Sequence, residues 1–556
     1  MSKHYFSLLF VLAAIASCTP KEAEIHTQSS TLPSLYITLP PDQLDLVYQD
    51  REYKAEAQAL LITHNNDTVY DGNLEHIKTR GNSTIEHEKK PFAIKFPNKI
   101  PLLGLLKSQS FVLLANAFDE SHIRNAIGLD LAKSFGIKAP RYAFLSLYIN
   151  NKYMGLYQIT NKIEIGKHTL RIQDLNKLNK QVNTRPLNDY MWFAYGRKKQ
   201  AIQRKGVLLE RNPDDITGGY LLDYTGHDEF YNKSVSGFVS NAGDRIQIRS
   251  PKYASQEQVN YISELYNQME AAVLASDGYH PTNGRHYSEY IDVESFARYY
   301  LLNELLLNTD GGWGSFLMYK DTDSIDPKIY AGPAWDFDRT LNSPYGHRGL
   351  VQSMPNEIYV NRERRMGNYS DSGGLLYHLL QHNDFQDIVK SCYYKDISPA
   401  CHDYLASGYL DSIIERLRIE ADHDNQVYHY RYSANYDAAV KRAISFLHDR
   451  LEFFDWFFST NESDRIKVAY NEFNIYGNEI NAFFPVGQAI YAPQTEIKYN
   501  NDEIYALYYP GSDSIVEDGT VFSAPLKLEL KKRKPSWREV QERRIQKKLK
   551  KWRIVQ

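Results

Sequence analysis

The sequence predicts an α+β fold: a β-rich first part with one embedded helix over residues 33–165, a mainly helical part over 166–460, and a small all-β appendage over 463–530. Three observations carry this. Short alternating apolar runs fill the first part, apolar residues recur at helical spacing after about residue 250, and strand-like runs broken by Asn, Gly and Pro return after residue 463.

Taken in order, Lys3 and His4 precede an apolar run from Phe6 to Ala16, and Ala16-Ser17 lead to Cys18. That run is about eleven residues, against the ~20 that cross a bilayer, so residues 1–17 read as a cleaved secretory signal and not a span. Ile15-Ala16-Ser17-Cys18 resembles the bacterial lipobox, which implies lipid on Cys18 and membrane attachment through it. Thr19 stands where an aspartate would retain a lipoprotein on the inner membrane, so the expected place is the outer membrane, on its periplasmic or cell-surface face. Lys21-Glu22 and Glu24 resemble the charged surface-export signals of some Bacteroidetes lipoproteins, and they equally suit a solvated tether. Residues 18–32 are polar and Ser/Thr-rich, as a flexible tether requires.

The strands of the first part are read at Tyr36-Ile37-Thr38-Leu39, Ala59 to Ile62, His76 to Thr79 and Phe92 to Phe96. Asp119 then caps a helix with Ile123, Ile127 and Leu131 on one face, stopped by Gly136, and strands Ala143 to Ile149 and Gly155 to Ile159 follow across a turn at Asn150-Asn151. Ser255 and Gln258 form a capping-box pair ahead of Val259, Ile262, Tyr266, Met269 and Val273. Asp292 caps a helix carrying Phe296, Tyr299, Tyr300 and Leu307, and helices continue from Gly374 to about Phe458. Strands at Ile466 to Tyr470, Ala489 to Tyr491 and Ile504 to Tyr509 make the appendage, and residues 531–556 form a basic tail able to make an amphipathic helix.

Composition narrows the partners less. The chain is 24% charged and 42% hydrophobic, an ordinary globular balance, and the ~540 residues left after the signal exceed what one core holds. The net charge of −3 conceals the basic stretch from Lys527 to Arg553, and no nucleic-acid partner is expected. Cys392 and Cys401 are close enough in sequence to bridge in an oxidising compartment, a pairing left open, and two cysteines are no metal framework.

The chemistry concentrates between Asp292 and Asp338. A helix ends near Asn308, Asp310 lies in the loop with Gly311-Gly312-Trp313-Gly314, Ser315 enters the strand Phe316 to Tyr319, and a second strand delivers Trp335-Asp336-Phe337-Asp338. An acid after a helix and another after the next hairpin is the protein-kinase order. One carboxylate positions and deprotonates an attacking hydroxyl, and another holds the Mg²⁺ that neutralises the transferring phosphoryl group. On the strand side, Lys95 in Ala93-Ile94-Lys95 stands where a phosphate-pairing ammonium would, and Arg80-Gly81-Asn82-Ser83-Thr84 offers a Gly-containing turn with free N–H groups and hydroxyls.

Those blocks, with Lys89-Lys90-Pro91-Phe92, Ile123-Arg124-Asn125, Gly155-Leu156-Tyr157, Gly218-Gly219-Tyr220-Leu221-Leu222, Asn303-Glu304-Leu305 and Gly332-Pro333-Ala334, together resemble the CotH kinase family, the atypical kinases of spore-coat-protein-H type, across residues 33–460. The resemblance implies a bilobal, atypical protein-kinase-like fold with a β-rich N-lobe and a mainly α C-lobe. It also implies transfer of the γ-phosphate of ATP to protein Ser or Thr with Mg²⁺ or Mn²⁺. Carried over, Asp310 is the catalytic acid, Lys95 contacts the phosphates beside the turn of Arg80, Asn82 and Ser83, and Asp336 or Asp338 is the principal metal ligand, a choice left open, with Ser315 the weaker neutral one.

Two positions depart from the pattern. Ser315 replaces the asparagine that binds the second metal in kinases, and Asn161 stands where relatives carry a glutamate, leaving Glu164, Glu120 or Asp130 as the carboxylate that would fix Lys95. The expected substrate is an envelope or surface protein, reached outside the ATP-rich cytoplasm. The alternative is a catalytically silent surface lipoprotein of the same family that binds glycan or protein through its 43 tyrosines or its β appendage. Glycoside hydrolysis by the pair Asp310 and Asp336 has only the two acids behind it.

Overall fold

The computed structural model describes residues 31–541 apart from 82, 168, 199–200, 227–228, 313, 346–353, 362–363, 367–369, 472–478, 488, 491–494, 498–502, 518–519, 522–523, 534–536 and 538–540. The signal, Cys18, the tether up to residue 30, Asn82 and nearly all of the basic tail lie outside the described residues.

The first part closes into a seven-stranded barrel. Its strands are β1 (Ser34–Thr38), β2 (Ala55–Ile62), β3 (Thr68–Thr79), β4 (Phe92–Ile100), β5 (Ser108–Leu114), β6 (Tyr142–Ile149) and β7 (Lys152–Asn161). Alternation sets which residues fill it: Ala55, Ala57, Ala59 and Leu61 of β2 and Phe92, Ile94 and Phe96 of β4 point into one buried cluster. The ladders are antiparallel except where β1 lies parallel to β6, Ser34 opposite Ser146 through Ile37 opposite Ile149. That pairing closes the barrel. A short helix α1 (Pro41–Gln49) follows β1 and packs its Val47 into the same cluster.

Helix α2 (Arg124–Ser134) comes from the same stretch of sequence, yet its buried face belongs to the other, larger core. It starts later than its expected cap: Asp119 accepts from Ser121 N at 2.9 Å and from Arg124 N at 2.8 Å, fixing the loop ahead of the first turn.

Residues 166–460, read from the sequence as mainly helical, also carry a seven-stranded antiparallel sheet. It is built from β8 (Trp192–Lys198), β9 (Ala201–Val207), β10 (Tyr220–Tyr224), β11 (Gly237–Val239), β12 (Arg245–Ser250), β13 (Phe316–Lys320) and β14 (Tyr330–Ala331), in the order β14-β13-β10-β12-β11-β9-β8. These strands are short and interrupted by polar turns, so they lack the length of alternation that marks β2 or β4. Helices α3 (Leu175–Val182), α4 (Gln256–Leu274) and α5 (Val293–Leu305) accompany the sheet. Ser255 and Gln258 make the capping box of α4, and Asp292 caps α5 through Ser295 N at 2.8 Å. Helices α6 (Leu375–Leu379), α7 (Asn383–Cys392), α8 (Ser398–Ala406), α9 (Tyr409–Tyr428) and α10 (Tyr436–Ser459) complete the body. Cys392 and Cys401 are both buried and free, so they do not bridge.

The C-terminal strands form a six-stranded sheet that borrows Glu357–Ile358 from the body as one edge, Ile358 pairing with Asn481. Ile466, Val468, Ile480, Ala482, Leu507 and Leu528 of this sheet join the larger core. No helix among the described residues is long and apolar enough to cross a membrane.

Candidate active site

Between the barrel and the seven-stranded sheet lies a cleft of about 1380 Å³. Asp310, Ser315, Asp336 and Asp338 line it together with Arg80 and Gly81 from the end of β3.

The Asp310 loop is held by a relay that begins on α5. Asn308 Nδ2 donates to Asn303 Oδ1 at 2.8 Å, Asn308 Oδ1 accepts from Asp310 N at 3.0 Å, and Gly314 N donates to Asp310 O at 3.0 Å. Next along the helix, fully buried Glu304 accepts from the backbone N–H groups of Tyr359 and Val360 at 2.7 Å each and faces the guanidinium of Arg450. Asn303 and Glu304 therefore fix, respectively, the loop and the segment behind it.

Ser315 and Asp336 both adopt left-handed backbone, with φ of 53° and 71°, a conformation that costs a side-chain-bearing residue energy and recurs at functional sites. They meet: Ser315 Oγ donates to Asp336 Oδ2 at 2.8 Å. Helix α2 holds the Asp336–Asp338 segment from behind. Asn125 Oδ1 accepts from Phe337 N at 2.8 Å, Arg124 Nε donates to Thr340 O at 2.9 Å, and the Phe337 ring lies on Gly128, where a Cβ would come within 2.2 Å of it. Phe337 points into the core, so its two neighbouring aspartates turn toward the cleft.

The carboxylates feel one another. Burial raises the Asp336 carboxyl, the charge of Asp310 raises it further, and Ser315, Arg80 and Arg339 oppose the rise. Burial, then Asp336, hold Asp338, only 8% exposed, well above the usual carboxylate range. Arg80 sits with its guanidinium 5.3 Å from the centre of the Trp335 ring. Gly81 has φ +98°, and a Cβ there would fall 2.2 Å from Thr84 Oγ1, so the turn admits only glycine. Ser83 opens the 3₁₀ turn Ser83–Glu86 that follows.

Lys95, expected at the phosphates, does not line this cleft. Because Phe92, Ile94 and Phe96 fill the barrel, Lys95 points outward, where it pairs with Glu75 at 2.6 Å. Of the carboxylates considered for it, only Glu164 lines the cleft. Glu120 accepts from Arg431 N and Tyr432 N at 2.8 Å each, and Asp130 from the Tyr142 hydroxyl at 2.6 Å. Asn161 clamps the backbone of Leu106, accepting from its N–H at 3.0 Å and donating to its carbonyl at 2.8 Å.

Residues 77–454 match the family described as CotH kinase protein. The chain belongs to the CotH kinase family. No curated protein matches it. Among solved structures, HipA of the Shewanella oneidensis MR-1 toxin–antitoxin system, in complex with HipB and operator DNA, aligns at 9% identity over 66% of this chain and 68% of that one, with a TM-score of 0.26. The Helicobacter pylori proinflammatory kinase CtkA aligns at 12% identity over 64% and 94%, with a TM-score of 0.18. Both likenesses are slight.

Kinases of this kind use ATP and a divalent cation. Among the described residues no group of three or more His, Cys, Asp or Glu side chains is arranged to enclose a metal ion. Mg²⁺, however, is usually held by one or two carboxylates and the phosphates it accompanies. Asp336 and Asp338 are hard oxygen donors whose mutual repulsion a cation would relieve. The residues fit the ion.

Asp223 and Arg249 are among the cleft residues that the sequence reading did not single out. Asp223, on β10, follows the Gly218 to Leu222 block directly, so an acid at the end of an apolar strand was the available signal. Arg249, on β12, pairs with it at 2.6 Å and has no signal of its own.

Proposed function

We propose that this CotH-family chain transfers the γ-phosphate of ATP to a Ser or Thr hydroxyl of an envelope or surface protein, working from a lipid anchor at the outer membrane. The observation that supports it is the convergence of Asp310, Ser315, Asp336 and Asp338 with Arg80 and its glycine turn in one cleft between the barrel and the larger body. In this reading the barrel is the N-lobe of a bilobal kinase and the helices and sheet behind it are the C-lobe.

Asp310 takes the proton of the attacking hydroxyl. Asp336 and Asp338, with Ser315 beside them, would hold Mg²⁺ or Mn²⁺. Bound there, the cation supplies positive charge against the phosphoryl oxygens. Arg80 and the backbone at Gly81 bind the phosphates, and Trp335 keeps the Arg80 guanidinium in place.

The test uses the full chain in detergent with γ-labelled ATP, Mg²⁺ or Mn²⁺, and casein as a generic acceptor. Label enters protein, and Asp310→Ala and Asp336→Ala each lower its rate by about 10²–10⁴-fold. Absence of incorporation, together with a melting temperature that ATP and Mn²⁺ leave unmoved, overturns the reading. Glycan binding that survives both substitutions would then favour the silent surface module.

A further inference from the structure

We infer that Asp223 is a further cation ligand of this cleft, supplying through its free oxygen the donor that Ser315 is too weak to provide. The inference rests on the phosphotransfer reading above. It starts from an orphaned atom. Asp223 is 4% exposed, and its Oδ2 is engaged by Arg249 Nε at 2.7 Å and Nη2 at 2.6 Å, but its buried Oδ1 has no hydrogen-bond partner. A buried carboxylate oxygen left without a donor is costly, and each one in a native fold calls for an explanation.

The position supplies the explanation. Asp223 pairs with Leu317 on β13, so it sits one strand away from the entry to that strand, where Ser315 stands. It lines the cleft with Asp310 and Asp336, and Asp336 is near enough to act on it as a like charge. The Ser315 hydroxyl already donates its hydrogen bond to Asp336, and a neutral hydroxyl is a poor donor to a hard cation. An anionic oxygen on the neighbouring strand is a better one. Arg249 holds Asp223 through Oδ2 alone and leaves the buried Oδ1 unpartnered in the wall of the cleft, an arrangement that a simple ion pair would not need.

Kinases hold a pair of Mg²⁺ ions, one of them through the side chain whose place Ser315 takes here. Asp223 restores that second position from a different strand. The ions would then be shared between one or two carboxylates each and the nucleotide phosphates, consistent with the lack of any all-protein cage among the described residues.

The experiment counts ions. Mn²⁺ is titrated into the full chain with a non-hydrolysable ATP analogue, and bound metal is read from the loss of the free-ion paramagnetic resonance signal. The parent takes up a pair of ions. Asp223→Asn, which keeps the shape and a contact to Arg249, takes up a single one, or binds the second about tenfold more weakly. Crystals of the unaltered chain grown with Mn²⁺ and the analogue give the same answer without a variant, through an anomalous peak within about 2.5 Å of Asp223 Oδ1. Parent-like uptake by Asp223→Asn, or manganese peaks with none against Asp223, overturns the inference while leaving the phosphotransfer reading standing. If the parent binds neither Mn²⁺ nor the analogue, both fall together.

Discussion

At the scale of single residues, the sharpest contrast is between Lys95 and Arg80. Both were expected near phosphate, yet only Arg80 reaches the cleft. Lys95 answers to the parity of β4, whose apolar partners at Ile94 and Phe96 leave it no inward choice. Its pair with Glu75 is solvent-exposed, and such pairs contribute about 0.2–1 kcal/mol. Lys95→Ala should therefore leave phosphotransfer within about twofold of the parent while Arg80→Ala raises the KM for ATP. A steep loss of rate in Lys95→Ala would show that the lysine swings into the site. Motif matching could not foresee this placement, because three matching letters fix a strand's chemistry and not the face it presents. The aspartates were legible for a different reason: their spacing spans a helix end and a hairpin, and those elements can only return them to one place.

At the scale of elements, α2 is the piece whose role sequence patterning concealed. It was legible as a helix, with its apolar positions and the Gly136 stop, but nothing in its own periodicity says that it serves the Asp336–Asp338 segment. The register is set by Gly128, which leaves room for the Phe337 ring, and by Asn125, which grips Phe337 N. Gly128→Val should force Phe337 out of its seat, cost about 1–3 kcal/mol as an overpacked contact, and lower kcat further than that loss explains. Melting curves and single-turnover rates on one preparation check it, and a parent-like kcat in a folded variant would separate the helix from the site. The sheet from β8 to β14 was hidden for the opposite reason: β11 and β14 are three and two residues long, and strands of that size are defined by their neighbours and not by their own sequence.

At the scale of the whole molecule, the barrel and the helical body are joined by a buried latch away from the cleft. Lys89 Nζ lies 2.6 Å from Asp424 Oδ1 on α9 and donates to Leu156 O at 2.7 Å, while Leu156 N donates to the same aspartate at 2.8 Å. Burial pushes the Asp424 carboxyl up, but Lys89 and His122 outweigh it and hold the group down to about 2, from an ordinary 3.8. A depressed carboxyl contributes its stability above the unfolded value and loses it as pH falls through the folded one. The latch should thus be fully formed above pH 3.8 and weaken as pH falls toward about 2. Lys89→Met, which strands the aspartate, should cost about 3–5 kcal/mol in chemical denaturation at neutral pH. Asp424→Asn should flatten the acid limb of the stability profile, and an unchanged acid limb in that variant would remove the latch from the account.

The parallel pairing of β1 with β6 also has a temporal side. A chain that emerges N-terminus first delivers Ser34 early, but its partner Ser146 appears only after four more strands and α2 have passed. Until then β1 has a neighbour on one side only, and an unpaired strand edge invites pairing with another chain. The last stitch of the barrel is therefore a long-range one, of the kind that slows folding. A chain appearing in that order is first an open, half-paired sheet, and the cleft forms only once that seam has shut.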